Sequence, residues 1–178
     1  MTELRVYDQD GALRETHDDH ARIAELLLDA GIRLERWPTR SLAATAGQDE
    51  VLAAYEPEVQ ALENEYGFRS VDVVALRPNH PEREAMRHKF LDEHSHGDFE
   101  VRFFVDGSGL FYFRLDDGVY GLECTQGDFI SVPADTRHWF DMGPEPDFKC
   151  IRFFTVPDGW VAEFTGDTVA SRYPRYRE

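Results

Sequence analysis

Between residues 98 and 155 the chain is a succession of short aromatic and β-branched runs separated by turn signals, and this pattern limits the fold more than any other feature. "EVRFFV", "GLFYFRL", "GVYGLEC", "FISVP", "RHWFDM" and "FKCIRFFTV" each have the composition and length of a strand. Asp106-Gly107 and Asp117-Gly118 read as hairpin turns, because glycine supplies the positive φ that a two-residue connection requires. "TQGD" makes another turn before "FISVP". Many short strands at close spacing predict a mostly β protein, a sandwich or closed barrel with helices packed outside.

The first part of the chain supplies those helices. Ile23, Leu26, Leu27 and Ala30 form a helical stripe that Gly31 ends. Pro57 suits the first turn of a second helix, "PEVQALENEYG", which stops at Gly67. "ELRVYD", "IRLERW" and "SVDVVAL" read as strands, and "HPEREAMRHKF" as a short helix leading into residue 94. No linker, low-complexity tract or long repeat interrupts residues 1–178, so one domain is expected.

Nineteen Lys and Arg stand against 35 Asp and Glu, a net charge of −16. Such a field repels phosphate backbones and anionic lipid, so neither nucleic acid nor a membrane is an expected partner, and a soluble monomer is. "MTELRVYDQDG" lacks the basic start and apolar run of a secretory signal, and no later stretch has the length of a membrane span, which together predict a cytoplasmic protein. Cys124 and Cys150 form no metal-type pair and read as reduced, buried and structural.

Against this background "HSHGDFEVRFFV" at 94–105 stands out, because a core strand seldom carries so many polar groups together. His94 and His96 are two apart and leave the same face of extended backbone, Gly97 permits a tight turn, and Glu100 follows. Two imidazoles and a carboxylate can then converge on one point, an arrangement suited to Fe(II) and similar ions. His138, in "GDFISVPADTRHWFDM", offers a fourth ligand from a separate strand. Arg102 shares a strand face with Glu100 and Phe104, and Arg152 recurs in the echo "IRFF". His17, His20, His80 and His88 lie in polar or helix-like contexts and read as solvated.

The spacing His94, His96, Glu100, Gly107, followed by Gly127, Pro133 and His138, resembles the two signature motifs of the cupin barrel. Within that superfamily "DEHSHGDFEVRFFVDGSGLFYFRL" and "GDFISVPADTRHWFDMG" are similar to the acireductone dioxygenase family of methionine salvage, and the similarity continues through "IRFFTVPDGWVAEFTG". Asp135 and Met142 depart from the general motif, at positions that are not ligands.

The resemblance implies a double-stranded β-helix, or jelly roll, with a few peripheral helices. It implies one Fe2+ or Ni2+ per monomer on His94, His96, Glu100 and His138, and as substrates O2 and the acireductone 1,2-dihydroxy-3-keto-5-methylthiopentene. With Fe2+ the expected products are formate and 4-methylthio-2-oxobutanoate, and with Ni2+ 3-methylthiopropanoate, formate and carbon monoxide. Arg102 is the expected catalytic charge facing an anionic substrate oxygen. Arg152, Phe90, Phe140 and Trp160 are expected to bind substrate, the aromatics as walls for its methylthio tail. A metal-dependent isomerase or epimerase would need a further base, for which no candidate stands out, and a non-catalytic binding protein would have no use for an intact ligand set.

Overall fold

The computed structural model describes residues 1–178. Eleven strands and four α-helices follow in the order β1 (Glu3–Tyr7), β2 (Leu13–His17), α1 (His20–Leu28), β3 (Arg33–Arg36), α2 (Gln48–Ala54), α3 (Glu56–Tyr66), β4 (Ser70–Leu76), α4 (Arg83–Phe90), β5 (His94–Ser95), β6 (Glu100–Arg114), β7 (Val119–Thr125), β8 (Asp128–Val132), β9 (His138–Asp141), β10 (Phe148–Phe154) and β11 (Glu163–Phe164). A short 3-10 turn, Val169–Arg172, closes the chain. No helix is long and apolar enough to cross a membrane.

Every strand pairing is antiparallel, and β6 is the hub, pairing with β7, β8, β9 and β10. Its first half pairs with β8 on one edge and β10 on the other, extended outward to β3 and β4. Its second half pairs with β7 and β9, in a layer that continues to β1 and β2 on one side and to β5 and β11 on the other. One 15-residue strand therefore belongs to both layers of a jelly-roll barrel.

The change of layer happens at Asp106-Gly107, where a hairpin was expected. Chain reversal does not occur there. Gly107 has φ +72°, the β10 register slips between Lys149 and Cys150, and a β-bulge results. A bulge and a two-residue turn both need glycine at positive φ, so the dipeptide alone does not separate them. Asp117-Gly118 does form the β6–β7 hairpin, with Leu115 N–H donating to Gly118 O at 2.9 Å.

The bulge also changes which residues face inward. Before it Phe104 lies in the inter-sheet core, while Val101, Phe103 and Val105 pack outward under α2 and α3. After it Phe111 and Phe113 face inward, while Leu110 and Tyr112 pack outward beneath Val169, Ala170, Tyr173 and Tyr176 of the C-terminal segment. Even-numbered residues point in on one side of Gly107 and odd-numbered residues on the other. Without that inversion one half of β6 would turn its phenylalanines outward.

The inward set includes Ile23 and Leu27 of α1, the face expected from its periodicity, and both cysteines. Cys124 and Cys150 are free and fully buried, and burial pushes the Cys150 thiol up to about 12. α3 ends at Gly67 in the left-handed conformation, as expected. His20 is not simply solvated: its Nε2 lies 3.2 Å from the fully buried carboxylate of Asp128, which also binds Thr2 and the Thr125 amide.

A side chain at 107 would drive into the carbonyl of Asp147 while sitting at positive φ. Gly107→Ala is therefore expected to destabilise the protein by at least about 2 kcal/mol, read as a fall in the denaturant midpoint. An unchanged midpoint would contradict the role given to the bulge.

Candidate metal centre

At one end of the barrel the interior changes from apolar to polar. His94 on β5 stands opposite His138 on β9 in the sheet register, which brings the two strands' imidazoles to a ring separation of 4.5 Å. His96 lies just beyond β5, where its carbonyl accepts from Asp135 N–H at 2.9 Å. Asp135 sits at φ +63°, within reach of an Asp side chain, so the departure from glycine here leaves the turn intact. The His96 ring is 5.1 Å from each of the other two, and one ligand atom from each of the three residues lies within 4.8 Å of the others.

The orientation of each ring is fixed from behind. His94 Nδ1 lies 2.8 Å from Asp92 O, His96 Nδ1 2.9 Å from Val161 O, and His138 Nδ1 2.7 Å from Thr136 O. A carbonyl can only accept, so each Nδ1 carries a proton and Nε2 is left as the ligand atom. Metal-binding histidines are oriented in this way, by an acceptor on the ring nitrogen that does not meet the ion. All three rings are buried. Burial lowers the pKa of His94 and takes His138 down to about 3, so these imidazoles are neutral at ordinary pH.

Glu100 begins β6 opposite Val132 of β8, and its Oε2 is 3.4 Å from His96 Nε2. Its other oxygen accepts from Arg102 Nε, the neighbour on the same strand face. Burial raises the Glu100 pKa, but the charge of Arg102 beside it outweighs this and holds the carboxyl at about 2. Arg102 is itself buried, with its guanidinium carbon 5.4 Å from the Phe111 ring and 5.0 Å from that of Phe140. The donor set of three imidazoles beside one carboxylate, with no thiolate, fits an open divalent-cation site and not a closed structural zinc site.

A cavity of about 560 Å³ opens beside this cluster and is bordered by His96, Glu100 and Arg102. Its apolar wall includes Val74, Met86, Phe90, Phe154, Trp160 and Phe164. Phe90 and Trp160 are thus where a substrate wall was expected, Trp160 with half of its surface in solvent. Phe140 is not on that wall. It is buried in the inter-sheet core behind Arg102, against Phe111 and in the space left by the missing side chain of Gly109. Arg152 reaches the cavity but is held in a two-pronged ion pair by Asp72, its register partner on β4, at 2.8 and 2.7 Å. Asp72 and the three carbonyl acceptors escaped the sequence reading. The acidic residue inside "SVDVVAL" was the one available signal, and backbone acceptors leave none.

Residues 3–162 match the ARD/ARD' family. The chain is 52% identical to an acireductone dioxygenase of Hahella chejuensis, over all of this chain and 97% of that protein. It is 50% identical to one from Aquifex aeolicus, over all of this chain and 98% of that protein. The solved structure of the Bacillus anthracis acireductone dioxygenase, with a cadmium ion in its active centre, superposes with a TM-score of 0.81 at 27% identity, covering 92% of this chain and 98% of that one.

The depressed pKa values set a sign for the pH dependence of the metal-free protein. Unfolded histidine takes up protons below about 6.5, whereas folded His138 resists until about 3, so stability is lost as pH falls through that window. The denaturant midpoint is expected to drop between pH 6.5 and pH 4.5, and less steeply in His138→Gln. Equal slopes in the two proteins would contradict the buried neutral imidazole.

Proposed function

The chain belongs to the acireductone dioxygenase family, and from that premise we propose that it oxidises 1,2-dihydroxy-3-keto-5-methylthiopentene with O2 in methionine salvage, as a cytoplasmic monomer. His94, His96, His138 and Glu100 would hold one Fe2+ or Ni2+, which when bound supplies a Lewis-acid template for the enediolate oxygens. The observation that carries this reading is the convergence of three buried imidazoles, each with its Nδ1 tied to a carbonyl, beside an ion-paired carboxylate at the end of an apolar-walled cavity.

The residues divide the work. His94 and His138 donate without needing to lose a proton, and Glu100 is already ionised. Arg102 brings a positive charge, and in a site shielded from water that charge favours the deprotonated enediolate over the neutral enediol. Phe90, Trp160 and their apolar neighbours take the methylthio tail and exclude water from the reacting carbons. Phe140 acts from behind, by packing on the guanidinium of Arg102. The ligand set accepts either metal, and the products follow the ion: formate with 4-methylthio-2-oxobutanoate for Fe2+, and 3-methylthiopropanoate, formate and carbon monoxide for Ni2+.

Aerobic turnover of the acireductone by iron-loaded and nickel-loaded protein tests the reading, with carbon monoxide assayed separately. Both forms are expected to consume substrate, and only the nickel form to release carbon monoxide; substrate loss no faster than with metal-free protein sinks the assignment. His96→Ala and Glu100→Ala are expected to purify folded but without stoichiometric metal, and normal metal content in both would refute the ligand set. Arg102→Met is expected to keep its metal while kcat falls about 10²- to 10³-fold, the usual effect of removing one preorganised charge.

A further inference from the structure

Five charged side chains border the cavity: Asp72, Lys89, Glu100, Arg102 and Arg152. Four of them are held in ion pairs inside the protein, Arg152 with Asp72 and Arg102 with Glu100. Lys89 has no carboxylate within 4.0 Å of its Nζ and no hydrogen-bond partner among the protein's side chains or carbonyls. Its ammonium instead lies 5.7 Å from the ring centres of both Phe90 and Trp160, two aromatics of the cavity wall. It belongs to the last turn of α4, is exposed, and stands on a chain whose net charge is −16.

An anionic substrate approaching this surface meets repulsion nearly everywhere. A single uncompensated cation, held over these two rings by cation–π attraction, is where that repulsion is locally reversed. We propose that Lys89 recruits the anionic form of the substrate to the cavity and discriminates against neutral molecules of the same shape. The inference rests on the acireductone reading for the identity of the substrate. Its chemistry requires only a small organic anion with an apolar tail. Lys89 binds through charge at the mouth and takes no part at the reacting carbons, which the geometry assigns to the neighbourhood of Glu100 and Arg102.

The test is steady-state turnover of the metal-loaded wild type, Lys89→Gln, Lys89→Arg and Lys89→Glu at ionic strengths from about 0.01 M to about 1 M, where the screening length falls from about 30 Å to about 3 Å. At low salt Lys89→Gln is expected to lose about tenfold in kcat/KM through KM, with kcat nearly intact. Lys89→Glu loses more, Lys89→Arg matches wild type, and the differences close at high salt. A KM and salt dependence in Lys89→Gln equal to those of wild type overturn the proposal, as does a loss that Lys89→Arg fails to restore.

A second measurement separates this inference from the functional reading: calorimetric binding of 4-methylthio-2-oxobutanoate and of its neutral methyl ester to the same proteins. If the wild type binds the anion in a Lys89-dependent way but does not turn over the acireductone, the reading fails and the recruiting role stands. Normal turnover with Lys89-independent binding sinks the recruiting role alone. If the wild type neither turns over the acireductone nor prefers the anion to its ester, both fall.

Discussion

Three hydrogen bonds from imidazole Nδ1 to backbone carbonyls hold the rest of the site in place. Asp92 O, Thr136 O and Val161 O each lock one ring, and together they turn three Nε2 atoms toward one point. Two of these carbonyls come from the residue two positions before the histidine, so the local backbone sets the ring. The third, Val161 O, comes from the segment after β10, so His96 is oriented by a distant part of the chain. A buried imidazole with its Nδ1 free could turn over or accept a proton. With Nδ1–H donated to a carbonyl, Nε2 is left as the ligand atom.

The barrel around these rings depends on the single irregularity in β6. The bulge at Gly107 lets one strand serve two layers and inverts the inward parity partway along. Glu100 and Arg102 thereby face the same interior as Phe111 and Phe113, and the buried guanidinium rests on two aromatic faces while its Nε binds the carboxylate. Burying that ion pair is tolerable because each charge has a partner and the arginine has rings to lean on. The apolar floor of the barrel and the polar mouth are consecutive stretches of one strand.

How much of this was legible follows from where each signal resides. The histidines and Glu100 could be read because side-chain alternation converts spacing directly into a shared face, and the cupin-like motifs span the two segments that meet. α3 was legible from its glycine cap at 67, and α1 from its apolar stripe, although α1 ends at Leu28, three residues before Gly31. Asp106-Gly107 was misread as a reversal because positive φ is common to turns and bulges. β2 and α2 were not foreseen: β2 is almost wholly exposed and α2 buries only Val51, so neither carries a strong apolar period. Phe140 reads as a wall from its aromatic character, but it packs behind Arg102, a contact between strands far apart in sequence. The same limit hid Asp72 as the partner of Arg152.

The central claim is that the fold presets three Nε2 atoms as ligands by tying up each Nδ1. Crystals of the iron- or nickel-loaded protein, measured at the absorption edge of the metal, test it most directly. The account predicts one anomalous peak bonded to Nε2 of His94, His96 and His138, with each Nδ1 still donating to Asp92 O, Val161 O and Thr136 O. A peak elsewhere, or a ring turned so that Nδ1 meets the ion, would contradict it.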